Sequence, residues 1–535
     1  MQSDSSLLPN NQRSADNDES PPINPGVEAT LLVGQHVDKR LAWLLWLVPG
    51  VIVLVGSLCD GIVPFHPEYT SGPVRQIFRG SRVISVFASF FFPRLADVHS
   101  RAVSGLFALI VFLIGSVLAI FADSVPMHGA GVVLYLIGSW GLFLLPLLFI
   151  SDYTSLRWRG MALSGIQSIS YLTIWIADPI YESMSREWSI GMLTIIMFVI
   201  CATTLIFLYL VASRHMEEIP RRQGSPILKA RDGFKKMDPV GLLIFTTGLA
   251  LVDYNTGVWW GADLGEESPL ALTGDLDSHS QTGRPGRVAM LIVGLILALP
   301  VFGLWEIRYA SFPLTPKWAY QNRGVLLAVI IAFCFQTAYT FTSGTQFIYI
   351  SLQWPGKTRD YYYKSRSISH FALAPILGIL FLLTRRYKPY LILGSAMLVV
   401  YSVLGLYSVR ISDLPNTLAP TVLLFAIQAL RGASAVAIDL GTMVGSQASV
   451  PHNDLATLVG LINALPILAA AMSPSSYAAI LLQISESSNQ AFTLLFSLAT
   501  GFSILCLGFS FFMPNHYLGD THNSVEKKED ECEQH

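Results

Sequence analysis

Apolar segments of the length of a membrane helix follow one another along almost the whole chain. A membrane-spanning helix needs roughly 20 mostly apolar residues. The chain is 52% hydrophobic and only 13% charged, whereas soluble domains carry about 25% charged residues. The sequence therefore predicts an all-α membrane protein with 14 transmembrane helices. The predicted spans are 41–62, 74–92, 102–122, 129–150, 160–180, 189–212, 239–260, 288–307, 324–349, 367–384, 389–409, 418–441, 454–482 and 491–513.

The distribution of Lys and Arg between the spans predicts that both termini face the cytoplasm. Cytoplasmic connections of membrane proteins carry an excess of these residues. Arg94 and Arg101 follow the second span, a basic stretch occupies 213–238, and the oppositely placed connection 261–286 is acidic. One outward connection, WPGKTRDYYYKSR (354–366), breaks the rule.

Composition along the chain predicts six regions. The polar start of the chain lacks the apolar segment of a signal peptide and is typical of disorder. The regions are a disordered cytoplasmic tail (1–40), an N-terminal bundle of spans 1–6 (41–212), a cytoplasmic basic loop (213–238), two additional spans with an acidic outer loop (239–307), a C-terminal bundle of spans 9–14 (308–513) and a cytoplasmic tail (514–535).

Several function classes find no support in the sequence. There is no G-x-x-x-x-G-K-[ST] phosphate-binding loop, and no soluble catalytic domain. The 34 basic and 36 acidic residues form no basic domain that would bind nucleic acid. The five cysteines lack metal or redox spacing. We therefore expect neither an enzyme nor a cofactor or protein metal site, but a secondary transporter whose substrate site lies near the bilayer midplane between two helical bundles.

The stretch FFPRLADVHSRAV (91–103) places opposite charges between spans two and three. It resembles the inner-loop signature G-x-x-x-D-[RK]-x-G-[RK] of the major facilitator superfamily, with Asp97 at the acid position, Arg101 at the base and Ser100 replacing a glycine. This resemblance implies a charge latch that binds the neighbouring bundle in one state and releases it in another. The alternative is a solvated turn whose charges only set the topology. The predicted inner gate consists of Arg94, Asp97, Arg101, Asp152, Arg157 and Arg159.

Further segments resemble the fungal siderophore-iron transporters, in the same order along the chain. SDYTSLRWRGMA (151–162) is similar to that family's A-D-T-T-S-L-R-W-R-G-L, and QASVPHNDLA (447–456) to its Q-A-S-V-P-H-Q-D-V-A. FPLTPKWAYQNRGVLLA (312–328), RRYKPYLILG (385–394) and the tail YLGDTHNSVE (517–526) also have counterparts there.

The resemblance implies a 14-span major facilitator fold and proton-coupled import of ferric siderophores. The expected partners are a ferric siderophore or similar small molecule, protons and the lipid bilayer, with the chain acting as a monomer. Because iron stays bound to the siderophore, no protein iron site is implied. The expected location is the plasma membrane, with the endosomal or vacuolar membrane as alternatives.

Departures from the family pattern leave other functions open. The last outer loop, QISESSNQ (483–490), is shorter than in the relatives. Another siderophore, proton-coupled glutathione exchange, or a sensor that binds substrate without moving it are alternatives. Efflux of drugs or toxins is disfavoured, because span five lacks the G-x-x-x-G-P-x-x-G-G signature of the antiporters.

Three arginines of span two are spaced i, i+4 and i+7, so a helix places Arg75, Arg79 and Arg82 on one face. A lipid-facing arginine near the bilayer centre costs about 2.5–3.5 kcal/mol. The stripe is therefore expected to face an aqueous vestibule or an acid such as Asp60. Snorkelling at the interface is the alternative.

Aromatic and basic residues alternate in the outward connection before span ten. Tyr361 and Tyr362 are candidate substrate contacts, because cations and aromatic faces suit a bulky, partly anionic ligand. The alternative is an aromatic belt at the membrane surface. The surrounding basic residues are Lys357, Arg359, Lys364 and Arg366.

Arg431 is the charge placed deepest in a predicted span. Charged residues inside a membrane commonly mark substrate or ion pathways, so Arg431 is a candidate for substrate translocation, paired with Asp253 or Asp178. His370 and His452 are candidate proton relays, because histidine titrates near neutral pH. His452 is equally consistent with a structural role on the cytoplasmic side.

Overall fold

The computed structural model describes residues 44–62, 81–216, 235–258, 284–353, 357–410, 418–471 and 488–521, with the single residues Val27 and Gly233. These residues form helices numbered α1 to α14. They are α1 (Leu44–Ile62), α2 (Ser81–Val98), α3 (Arg101–Ile120), α4 (Val125–Tyr153), α5 (Leu156–Ser183), α6 (Arg186–Met216), α7 (Pro239–Val258), α8 (Arg284–Ile296, a π-helical Leu297–Val301 and Phe302–Arg308), α9 (Arg323–Gln353), α10 (Lys357–Thr384), α11 (Lys388–Arg410), α12 (Leu418–Gln447), α13 (Leu455–Ala471) and α14 (Ser488–Phe512).

Each predicted span overlaps a helix. Nine helices among the described residues are long and apolar enough to cross a membrane. The chain is thus an all-helical, multi-pass membrane protein, and the crossing of the bilayer by all fourteen helices stays a prediction. The N-terminal tail apart from Val27, the C-terminal tail after residue 521, and most of the acidic outer loop, the basic loop and the shortened last outer loop lie outside the described residues.

Local sequence explains where several helices begin. Ser100 caps α3 by accepting a hydrogen bond from the Val103 backbone N–H at 3.1 Å. Pro126 occupies the first turn of α4, where its missing N–H is not needed. Asp238 caps α7 through the Gly241 N–H, and its own φ of 43° is tolerated because a short polar side chain stabilises the left-handed conformation.

Helices α1–α6 and α9–α14 form two groups, called here the first and second helix groups. In the first group, α3 packs on α4 and α6, and α1 packs on α4, α5 and α6. In the second group, α9 packs on α12, α13 and α14, while α11 packs on α12 and α14. Helix α7 lies against α8 and α2.

The two groups meet along two main helix pairs, α2 with α13 and α5 with α10. Gly460 of α13 is needed at the first crossing, since a Cβ there would lie 2.5 Å from the Ser89 carbonyl oxygen of α2. At the second crossing, Leu163 and Ile166 of α5 join the same buried apolar cluster as Phe381 of α10. The apolar core is therefore continuous across the seam.

Two segments predicted as connections are helical. Helix α2 continues to Val98 and α3 begins at Arg101, so the charges of FFPRLADVHSRAV lie on helix ends and not in a solvated turn. Helix α10 begins at Lys357, so residues 357–366 of the tyrosine-rich outward connection form nearly three turns of helix. The hydropathy pattern placed the end of span two and the start of span ten at charged residues. Because Lys, Arg and Tyr do not terminate helices, both helices extend beyond these limits.

Candidate functional site

Three buried charged side chains meet at the end of the molecule that the sequence predicts to face the cytoplasm. Arg101 Nη1 donates to Asp97 Oδ1 at 2.8 Å, and Arg101 Nε donates to Asp152 Oδ2 at 2.8 Å. The exposed fractions are 7% for Asp97, 3% for Arg101 and 4% for Asp152. A buried charge is costly unless it is paired and hydrogen-bonded. The Arg101 guanidinium meets this need for both carboxylates and holds them in place. These three residues are called the latch, and this end of the molecule the latch end.

The latch reaches across the seam to the second helix group. Thr457 Oγ1, on α13, donates to Asp97 Oδ2 at 3.3 Å. His452 Nε2, in the 3-10 turn before α13, lies 3.8 Å from Asp152 Oδ1. The predicted inner gate thus brings Asp97, Arg101 and Asp152 into one cluster that contacts the opposite group.

Arg94 and Asp454 flank the latch. Arg94 donates to the backbone carbonyls of Lys236 and Pro313, so it ties α2 to the segments that flank α7 and α8. Burial first, and the negative charge of Asp97 second, raise the pKa of the Asp454 carboxyl to about 6, while Arg94 opposes the shift. Asp454 was not singled out in the sequence.

The other two predicted gate arginines have separate positions. Arg159, fully buried, donates through Nη2 to the backbone carbonyls of Ser151 at 2.8 Å and Thr154 at 3.1 Å, which fixes the turn between α4 and α5. Arg157 pairs with Asp520 of the C-terminal segment at 3.3 Å.

The signature glycine is not required at position 100. Ser100 has a φ of −169°, an extended conformation open to any residue, and its hydroxyl caps α3. The position therefore needs a helix cap and no left-handed conformation.

A cavity of about 300 Å³ lies between the two helix groups. Residues from α1, α3, α4, α5 and α6 line one side, and residues from α10 and α12 line the other. Its wall is mostly apolar, with Phe112, Leu142 and Phe371 among its members. The polar residues in the wall are Ser57, Ser139, Gln167, Ser170, His370 and Asp439. This combination of an apolar wall with a few convergent polar groups is typical of small-molecule sites.

Asp439 is the carboxylate of this cavity, and sequence reasoning missed it. It lies in the last third of α12, and its side chain is exposed because it faces the cavity. The segment ALRGASAVAIDLG contains the signal, since Asp439 is the one acidic residue of the predicted span 418–441.

Arg431 stacks on tyrosine rings and does not pair with Asp178. Its guanidinium carbon lies 4.0 Å from the Tyr339 ring centroid and 5.8 Å from that of Tyr401, and Nη2 donates to the Tyr339 carbonyl at 3.2 Å. Asp178 is bound by Lys364 instead, since both lie at the outer ends of α5 and α10. The side chain of the other expected partner, Asp253, lies outside the described residues.

Gly432 explains how α10 comes close to α12 beside Arg431. A Cβ at this position would lie 2.3 Å from the Arg366 carbonyl oxygen and 2.8 Å from the His370 backbone N. Arg366 and His370 are thereby held against the middle of α12, with the Arg366 guanidinium 5.6 Å from the Tyr339 ring centroid.

The two predicted tyrosine contacts lie apart from the cavity. Tyr362 is fully buried in a small cluster with Leu424 and Phe496, and its ring meets Phe425 edge-on at 5.7 Å. Tyr361 is 54% exposed. Neither lines the cavity described above, since α10 turns Tyr362 towards α12 and α14.

Only some of the remaining predicted site residues belong to the described part of the structure. Arg75 and Arg79 lie outside the described residues, as do the side chains of Asp60, Arg82, Lys357 and Arg359. Of the two candidate relay histidines, His370 lines the cavity and His452 lies at the latch. In the described part of the chain, no group of three or more His, Cys, Asp or Glu residues could hold a metal ion.

Comparison with known proteins points to iron-related transporters. A siderophore transporter of Zymoseptoria tritici is 24% identical over 422 residues, 75% of this chain and 61% of the relative. Siderophore iron transporter 1 of Schizosaccharomyces pombe is 29% identical over 331 residues, 58% and 50% of the two chains. The low affinity heme transporter of the same yeast is 26% identical over 386 residues, 69% and 58%. The chain thus spans between 50% and 61% of the length of these relatives.

The chain matches no family model. Among solved structures, a bacterial homologue of the iron transporter ferroportin in an outward-facing state aligns with a TM-score of 0.56. The alignment covers 89% of this chain and 99% of that one, at 9% sequence identity. This similarity concerns the fold alone.

Proposed function

We propose that this chain, a relative of the fungal siderophore iron transporters with the fold of the major facilitator superfamily, imports ferric siderophores by proton symport. The observation that carries the proposal is the cavity between the two helix groups together with the latch that joins the groups at one end. Substrate sites of secondary transporters lie at such an interface, and alternating access moves one group against the other.

The latch supplies the two-state element that such a cycle requires. With Asp97 bound to both Arg101 and Thr457, the first and second groups are held together at the latch end. Opening this end separates Asp97 from Thr457 but leaves Asp97 and Asp152 paired with Arg101, because all three residues belong to the first group. The charges of the latch therefore stay neutralised in both states, and the hydrogen bond that the latch exchanges across the seam is the one from Thr457 to the Asp97 carboxylate.

The proposed substrate is a ferric siderophore, with iron carried as part of the cargo. The named relatives transport siderophores or heme, and both are bulky iron chelates with extended apolar and polar faces. The mostly apolar wall with a few polar groups fits that class. We propose that the chain acts as a monomer in the plasma membrane.

Uptake of radioactive iron tests this function directly. Iron-starved fungal cells that lack their own siderophore transporters would express the chain and receive a panel of ferric siderophores, with heme as a second substrate class. We expect uptake of at least one ferric siderophore, abolished by a protonophore. An absence of uptake across the panel, with the protein present in the same membrane, would contradict the proposal.

A further inference from the structure

Asp439 is the one acidic residue among the described residues that line the cavity, and neither the latch nor the proposed substrate binding uses it. A carboxylate inside a membrane protein is costly and commonly marks a proton or ion pathway. We propose that Asp439 carries the proton that is coupled to substrate movement, with His370 beside it in the same wall. This inference rests on the proposed function and names the residue on which its proton coupling depends.

The surroundings of Asp439 support proton exchange at this carboxyl. Of the helices packed against α12, α13 carries no charged residue, α9 and α11 carry charges only at their ends, and those of α5 also lie at its ends. The charged or titratable groups that α10 presents at this level are Arg366 and His370. Arg366 is the cation whose charge acts on Asp439. Arg431, which lies on α12 with Asp439, stacks on Tyr339.

The geometry gives Asp439 access that a structural ion pair would lack. Its side chain is exposed to the cavity, whereas Asp97 and Asp152 are buried against Arg101. In the proposed step, a proton from the outer side binds a carboxylate oxygen of Asp439, forming one O–H bond. After the molecule opens at the latch end, that O–H bond breaks and the proton leaves to the cytoplasm. No redox partner or other co-reactant is involved.

Separating accumulation from exchange tests the role of Asp439. Vesicles containing the protein would be loaded with the ferric siderophore that the wild-type chain takes up, carrying radioactive iron. A symporter that moves one proton per substrate gains about tenfold accumulation from a pH difference of one unit. Asp439→Asn should lose this pH-driven accumulation but keep exchange of external for internal substrate, because exchange needs no net proton movement.

Matched variants make the outcomes distinct. Asp123→Asn removes an exposed carboxylate from the connection between α3 and α4 and should leave both activities unchanged, and Asp439→Glu should restore part of the accumulation. Accumulation that persists in Asp439→Asn would overturn the inference, and so would loss of exchange in that variant while the protein remains folded. Failure of the wild-type protein to exchange any ferric siderophore would instead overturn the proposed function.

Residues 514–521, which follow α14, form a segment called here the strap. It runs along the latch end from the second helix group to the first. On the second group, Arg386 Nη1 donates to the Asn515 carbonyl at 2.9 Å, and the Leu518 N–H donates to the Arg385 carbonyl at 3.1 Å. The guanidinium groups of Arg385 and Arg386 lie 5.6 and 5.5 Å from the Tyr517 ring centroid.

On the first group, the strap caps helix α5. The Leu156 and Arg157 backbone N–H groups donate to the carbonyls of Thr521 and Gly519, each at 3.0 Å. The first N–H groups of a helix lack partners within the helix, and the side chain of the preceding Ser155 makes no capping bond here. The strap therefore supplies the missing cap from across the seam.

We infer that the strap restrains opening at the latch end. Separation of the two groups must break either its bonds to the loop between α10 and α11 or its bonds to the start of α5. Leu518 is buried and anchors the strap to the second group. Asp520 is 65% exposed in its ion pair with Arg157, so the contact with the first group can break and form again.

Two truncations test the strap. One ends the chain after Asn515 and the other, the control, ends it after Thr521 and so keeps every contact described above. A cysteine replacing Ala456, buried beside the latch, reports opening through its reaction with a membrane-impermeant maleimide from the cytoplasmic side.

The shorter chain should react about tenfold faster than the control, which corresponds to a shift of about 1.4 kcal/mol towards the open state. The point variant Leu518→Ser, in the full-length chain, should change the rate in the same direction. Equal rates in the two truncated chains, or no effect of Leu518→Ser, would overturn the inference.

Discussion

The two ends of the seam between the helix groups are held together in different ways. At the latch end, one buried arginine binds two buried carboxylates, α13 contributes Thr457, and the strap adds backbone hydrogen bonds. At the outer end, the described residues show one ion pair between the groups, Lys364 with Asp178, in which the Asp178 side chain is 58% exposed.

The difference lies in the dielectric surroundings of the charges. An exposed pair is screened by water and contributes about 0–1 kcal/mol. A buried charge that loses its partner costs several kcal/mol, because nothing else solvates it. The latch is thus a rigid part of the first group that presents a fixed surface to α13, whereas the outer pair can form and break with little change in free energy.

The largest expected effect comes from removing the shared cation of the latch. Arg101→Met leaves Asp97 and Asp152 buried without their main partner, and we expect a loss of about 3–5 kcal/mol in the free energy of unfolding. Thermal unfolding of the purified protein in detergent measures this, as a lower midpoint. Arg101→Lys, which keeps the charge but not the planar fork, should lose less.

A loss for Arg101→Met no larger than that for a surface arginine would contradict the account of the latch. The matched surface variant is Arg308→Met at the end of α8, where the side chain is exposed.

Asp454 provides a smaller, pH-dependent effect next to the latch. Its pKa is raised from 3.8 to about 6 in the folded protein, so the folded state favours the protonated form. Its ionisation therefore lowers stability as the pH rises from about 4 to about 6, and the loss persists above that range. Asp454→Asn cannot ionise and removes the loss.

We expect Asp454→Asn to be more stable than the wild-type protein by about 1 kcal/mol at pH 8, after allowing for screening of a partly exposed group. At pH 4 the two proteins should unfold at the same temperature. Unfolding midpoints at the two pH values measure the difference, and an equal gain at both would assign the effect to packing instead of charge.

The smallest effect belongs to the outer ion pair. In a double-mutant cycle of Lys364→Gln and Asp178→Asn, we expect a coupling free energy of about 0.2–1 kcal/mol from unfolding measurements, since the pair is partly exposed. A coupling comparable to that of Asp97 and Arg101 would remove the distinction between the two ends.

Much of this arrangement could be predicted from the sequence because its signals are local. Apolar length located the helices, and the pattern around Asp97 and Arg101 indicated the latch. The sequence placed Arg101 and Asp152, 51 positions apart, in one gate but did not predict that they pair directly. Thr457 has no such signal, since a threonine in an apolar helix is unremarkable until α13 lies against α2.

Other features depended on three-dimensional packing that no local pattern shows. Arg431 was expected to need an acid, but two tyrosine rings from α9 and α11 meet its charge. Tyr362 was expected at a substrate surface, but the helical rotation of α10 buries it. Asp439 could have been found by asking which carboxylate lies within an apolar span.

The central claim is that the latch holds the two helix groups together at the latch end. The most direct test is the reaction of Ala456→Cys with a membrane-impermeant maleimide in inside-out vesicles, with the five native cysteines replaced. Asp97→Asn should accelerate the reaction about tenfold, corresponding to about 1.4 kcal/mol, because the charged acceptor of the Thr457 hydroxyl is lost. An unchanged rate in a correctly folded Asp97→Asn protein would contradict the claim.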